Sequence, residues 1–190
     1  TVLVAIMSCQ QQPKESYLHD LLNGSSSKVG AKEDLNSPFG AAGDRVYAVG
    51  YQDGSFPDLG WHVTGEMGGV WNHPIKIMDG FQLAIGNEEM TCLKNATLFT
   101  NYSVGNKHEY GEIDGIRISR MQFVPDGLEG LVVEYLLTNT SSESKDINLK
   151  FTGRFDLRPV WLAEQKGLED AQDSLNQEGD VVLVKDVNND

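Results

Sequence analysis

The chain has 190 residues, with 28 Asp and Glu against 15 Lys and Arg, a formal net charge of −13. That length suffices for one domain with a sizeable core. The acidic balance argues against a surface built to meet nucleic-acid phosphates or anionic headgroups, and is compatible with a neutral partner such as a carbohydrate.

The opening TVLVAIMSC is an apolar run too short to span a bilayer. It reads as the back half of a secretory signal peptide, residues 1–9. Ile6-Met7-Ser8-Cys9 has the look of a bacterial lipobox, with small Ser8 before the cysteine, aliphatic Ile6 three before it, and polar QQQPKES directly after. Cys9 would then be the lipidated first residue of the mature protein, anchored in the cell envelope at the periplasmic or outer-membrane surface. The competing reading is an N-terminal strand carrying an ordinary cysteine. A lipidated Cys9 leaves Cys92 without a disulfide partner, and Cys92 is then expected as a buried, apolar-like side chain. Residues 10–44, which end in NGSSSKVGAKEDLNSPFGAAGD, have the composition of a flexible linker. YLHDLL (17–22) predicts one short helical turn within it. The start at Thr1 and the finish in KDVNND suggest part of a longer protein, truncated at its C-terminus.

From Arg45 to residue 190 the pattern is that of strands. RVYAVGY alternates, with Val46, Ala48 and Gly50 on one face and Tyr47, Val49 and Tyr51 on the other. KIMDGFQLAIG carries a turn signal at Asp79-Gly80 between apolar runs. TCLKNATLFTNYSV is rich in strand formers, and HEYGEIDG (108–115) reads as a solvated turn. GIRISRMQFVPDG alternates, with a bulge expected near Arg120. GLVVEYLLTNTSS and DINLKFTGRFDLRP read as a hairpin giving two neighbouring strands of one sheet. Trp161 to Asp173 predicts at most a short helix, and DVVLVKD (180–186) a last strand. The expected fold is therefore all-β: a mostly antiparallel, supersandwich-like β-sandwich with at most short helices, over residues 45–190.

The densest stretch is GEMGGVWNHPIKIMDGF, residues 65–81. Its glycines permit tight backbone around Trp71, and Pro74 holds His73 extended. Glu66, Trp71 and His73 are the candidate substrate contacts: a carboxylate, a ring that can lie on a sugar face, and a hydrogen-bonding imidazole. Trp71 serves equally well as core. Trp61 and Trp161 read first as core. Glycoside hydrolysis needs two facing carboxylates. Glu66, Asp79, Glu109 and Glu112 are available, but sequence alone does not say which would face one another, so no catalytic residue is assigned. The histidines lack metal-binding spacing and two cysteines exclude a multi-cysteine zinc site, so neither metal nor cofactor is expected. Arg158 is expected to pair with a carboxylate such as Asp156.

Two motifs, GWHVTGEMGGVWNHPIKIMDGFQLAI and LTNTSSESKDINLKFTGRFDLRPVWL, resemble the N-terminal β-sandwich (supersandwich) domain of bacterial glycogen-debranching, amylo-α-1,6-glucosidase-like glycoside hydrolases. The resemblance covers residues 45–190. It implies a non-catalytic domain that buttresses a helical toroid carrying the acid and base, and that lends a loop to the cleft for a glucan-like glycan. The alternatives are a free-standing carbohydrate-binding lipoprotein and a structural cell-surface module.

Overall fold

A computed structural model describes residues 2–5, 16–60, 66–160, 167 and 170–187. Cys9, Trp61, His62, Trp161 and most of the expected helix after Trp161 lie outside the described residues. Among the described residues, fourteen strands and one α-helix follow in chain order: β1 (Val2–Ala5), α1 (Tyr17–Asn23), β2 (Ser27–Val29), β3 (Pro38–Ala42), β4 (Val46–Tyr51), β5 (Gly69–Asn72) and β6 (Ile75–Gly86). After these come β7 (Met90–Cys92), β8 (Leu98–Tyr102), β9 (Gly105–Ile113), β10 (Ile116–Phe123), β11 (Val132–Asn139), β12 (Asn148–Pro159), β13 (Asp173–Glu178) and β14 (Val181–Asp186).

Two antiparallel sheets pack face to face. One has the order β12-β6-β5-β4-β3, with β7 beside β6; the other is β11-β10-β9-β8-β2. A small third sheet, β1-β14-β13, pairs Val2–Ala5 with the penultimate stretch of the chain. The fold is all-β and sandwich-like, and its sheets do not close. Alternation explains the layering. In β4 the order is buried, half-buried throughout, so Val46 and Ala48 face inward and Tyr47 faces away. Phe39, Val46, Phe56, Val70, Met78, Phe81, Phe99 and Val124 form one core cluster, which draws on both sheets. Leu83, Ile85, Tyr110, Ile116 and Ile118 anchor a second.

Several expectations are corrected. The linker placed over 10–44 is folded from Ser16 onward. Ser16 Oγ caps α1 by accepting the His19 amide at 2.9 Å. Leu18 and Leu22 are buried with Met121 on the outer face of the five-stranded sheet. β2 pairs with β8, and β3 puts Phe39 and Ala41 into the core. Gly and Ser composition concealed these pieces because they are short edge strands, in which only alternate side chains need be apolar. The folded unit therefore begins well before residue 45.

Asp79-Gly80 is not a turn, since both lie inside the continuous 12-residue β6. The tight Asp-Gly hairpin is Asp114-Gly115, between β9 and β10, where φ is +50° and +73°, as a type I′ turn demands. HEYGEIDG is accordingly strand β9 with its turn, not a solvated loop. The bulge expected near Arg120 is present between Ile118 and Ser119, with the extra residue, Tyr110, on the partner strand β9. β11 and β12 are not a hairpin. β11 ends one sheet and β12 ends the other, so residues 140–147 carry the chain across the sandwich. Cys92 is exposed, not buried.

The interior holds one buried polar tie. Phe99, His108, Arg120 and Tyr135 are direct cross-strand neighbours on β8 to β11. Arg120, 1% exposed, donates to the Gly54 carbonyl at 3.0 Å, lies 3.3 Å from the His108 ring nitrogens, and faces the rings of Phe56 and Phe81 at 5.5 and 5.2 Å. It thus links the five-stranded sheet to the opposite layer. Burial, followed by the nearby Arg120 charge, holds the His108 imidazole well below its usual titration range, so it packs as a neutral ring. Burial likewise pushes the Tyr110 hydroxyl up to about 12.

Candidate functional site

The densest sequence motif folds onto the outer face of the six-stranded sheet. Because Val46, Ala48 and Val70 point inward, the residues between them point out. Tyr47 pairs with Trp71, Trp71 with Lys76, and Lys76 with Arg158, in one row across β4, β5, β6 and β12. Gly69 opens β5 opposite Val49 at φ +91°, and a Cβ there would lie 2.2 Å from the Met78 carbonyl oxygen, so the approach of β5 to β6 requires glycine.

Three register shifts shape the site. β5 and β6 slip between Val70 and Trp71, and β6 and β12 slip on either side of Phe155. Bulges re-aim side chains. In an unbroken strand, Lys76 and Asp79 would fall on opposite faces. Here they form an ion pair. Lys76 Nζ also lies 3.9 Å from Asp156 Oδ2, and Arg158 Nε approaches the same oxygen at 3.0 Å. The pairing expected between Arg158 and Asp156 is present.

The Lys76 side chain is 1% exposed, and its ammonium sits 5.7 Å from the Trp71 ring centroid. Asp79, Asp156 and Arg158 reach outward from it, with side-chain exposures of 35, 29 and 23%. Burial raises the Asp156 carboxyl above its ordinary value. Arg158 and Lys76 oppose this shift, and Asp79 and Asp170 add to it. The result is a partly open edge of charged donors and acceptors, fixed from beneath by a buried lysine.

The expected contacts fare differently. Trp71 is 2% exposed, its Nε1 donates to the Gly68 carbonyl at 2.9 Å, and its ring stacks on Tyr47 at 6.3 Å with an interplanar angle of 8°. The expectation that it presents a ring to a sugar is corrected: the indole is the packing floor of the site. His73 is exposed, in the short connection between β5 and β6, next to a cis peptide bond to Pro74. Glu66 is half-buried in the bend before β5. Glu109 and Glu112 lie on β9, in the other sheet. The missed residue is Lys76, which a strand reading leaves as an ordinary surface lysine. The signal available in sequence was its position next to Trp71 across the His-Pro connection. Among the described residues, no group of three His, Cys, Asp or Glu forms a metal-ligand set.

Fold and site together define a sandwich-like β-domain with a charged polar edge on its outer face. Comparison with protein-family models, curated proteins and solved structures yields no match.

Proposed function

We propose that this chain is an accessory, non-catalytic β-sandwich of a lipid-anchored glycoside hydrolase in the cell envelope, and that it contacts a neutral glucan-like glycan through the Lys76–Asp79–Asp156–Arg158 edge. The observation that carries this reading is the clustering of fixed donors and acceptors at that edge. Asp79, Asp156 and Arg158, partly exposed and held from beneath by the buried Lys76, supply many hydrogen-bonding groups. Sugar hydroxyls both donate and accept, and suit such a surface. Exposed His73 lies beside the row and extends the polar rim. The resemblance of residues 45–190 to the supersandwich of glycogen-debranching-like enzymes supports the assignment of catalysis to a helical toroid, and the lipobox supports anchoring through Cys9.

The test is affinity electrophoresis and calorimetry of the chain against glycogen and soluble maltooligosaccharides. Asp156→Asn and Arg158→Gln should each weaken binding at least tenfold, and His73→Ala by a smaller factor. A chain that ignores every glucan, or variants that bind unchanged, would refute the reading. The anchor is tested separately: Cys9→Ala should move the full-length protein from the membrane to the soluble fraction.

A further inference from the structure

The two flanks of the sandwich are unequal. Between β11 and β12, side chains that point into the sandwich remain open. Leu149 and Phe151 pair directly with Ile85 and Leu83, both buried, and Phe151 stacks on Phe81 at 6.0 Å. They share the inner face, yet Leu149 is 51% and Phe151 36% exposed. Across from them, Tyr135 and Leu137 of β11 are only partly buried against the same core. Each flanking strand is the last in its sheet among the described residues. The C-terminal half of β12 meets the third sheet, where the Leu157 amide donates to Asp173 Oδ2 at 2.9 Å, so the stretch left without a neighbouring strand among the described residues is Asn148–Arg154. A helix or a small molecule would leave the amides and carbonyls of that edge unpaired; an added strand satisfies them.

The chemistry of the occupant follows from period-two alternation. Leu149 and Phe151 face in, so Lys150 faces out. The open stretch Asn148–Arg154 carries Lys150 and Arg154 and no acidic residue, in a chain whose net charge is −13. A strand laid on β12 would place apolar side chains over Leu149 and Phe151 and acidic ones beside Lys150. A second copy fits less well: with β12 paired antiparallel to itself about Thr152, Lys150 of each copy stands opposite Arg154 of the other. We propose that the β11–β12 flank is a docking groove for an extended polypeptide segment of alternating apolar and acidic residues, which pairs with β12 and completes the sandwich. This goes beyond the glycan reading and does not depend on it.

The experiment uses the full chain and a fluorescein-labelled octapeptide of alternating valine and glutamate, with its valine–lysine counterpart as control. Anisotropy should show the acidic peptide binding at least tenfold more tightly. Hydrogen exchange should show new protection within residues 148–154. Lys150→Glu should reverse the preference. Leu149→Asp should abolish binding with the circular dichroism spectrum and thermal midpoint retained, because the side chain is already half in water. Failure of both peptides to bind, equal binding of the two, protection elsewhere, or a concentration-dependent dimer protected over 148–154 would each overturn the proposal.

Discussion

The flank between β2 and β3 and the flank between β11 and β12 end differently. At the first, an open cleft of about 450 Å³ runs between the strands, but the core-facing Phe39 and Phe99 at its base are 5 and 4% exposed, with ring centroids 5.9 Å apart. At the second, core-facing Leu149 and Phe151 remain in solvent. An apolar residue on the inward face of a strand is therefore buried only where the opposite sheet reaches far enough to cover it. Hydrophobic burial contributes about 25 cal/mol per Å², so the covered aromatic residues and the central strands carry the stability, and the open β11–β12 flank is free for another use.

Four substitutions or conditions test that division. The largest loss is expected for Ile118→Ala, at a fully buried β10 position, where truncation costs about 2–5 kcal/mol by denaturant unfolding. A loss of less than about 1 kcal/mol would mean that the core does not rest on the central strands.

Arg120→Ala should cost about 3 kcal/mol, since it strips the Gly54 carbonyl of its donor and empties the space between Phe56 and Phe81. Arg120→Met, which refills the volume, should cost no more than half of that. Equal losses would mean that the charge, not the filling, matters at this position.

The third test is pH. The His108 imidazole is held well below its usual value, mainly by burial. Below about pH 6.5 the unfolded chain takes up a proton that the folded chain refuses. The contribution of this group is thus fully present above that pH and declines on acidification, by at most about 1.4 kcal/mol per pH unit. The raised Asp156 carboxyl acts with the opposite sign, near the ordinary carboxylate range: it favours the folded state at low pH and loses that contribution as pH rises. Denaturation midpoints at pH 7.5 and 5.5 should differ in the parent chain and converge in His108→Gln.

The smallest effect is expected on the open flank. Leu149→Thr should change stability by no more than about 0.5 kcal/mol. A loss as large as that of Ile118→Ala would show that the flank is closed in solution.

Much of the strand content was legible from residues. RVYAVGY alternates as β4 and GIRISRMQF as β10, because a half-buried strand needs an apolar side chain at every second position, and the short apolar run VVLV stands within β14. The pairing of Asp156 with Arg158 was also legible, since the two residues stand close together on one strand. The edge strands β2, β3 and β13 were not, as little of their surface must be apolar. The same dipeptide, Asp-Gly, is a hairpin at 114–115 and lies mid-strand at 79–80. Local propensity permits both, and only the partner strands choose between them.

Composition and alternation by themselves determined that this chain is all-β, layered and acidic. They also marked residues 65–81 as a special segment. Tertiary structure alone decided that Trp71 is floor and not platform, because burial depends on what lies across the sheet. It decided that Lys76, Asp79, Asp156 and Arg158 meet, because slips in register cannot be read from one strand. It decided, too, that β11 and β12 end different sheets and leave a gap between them, because a connection of eight residues, 140–147, is long enough either to turn back or to cross.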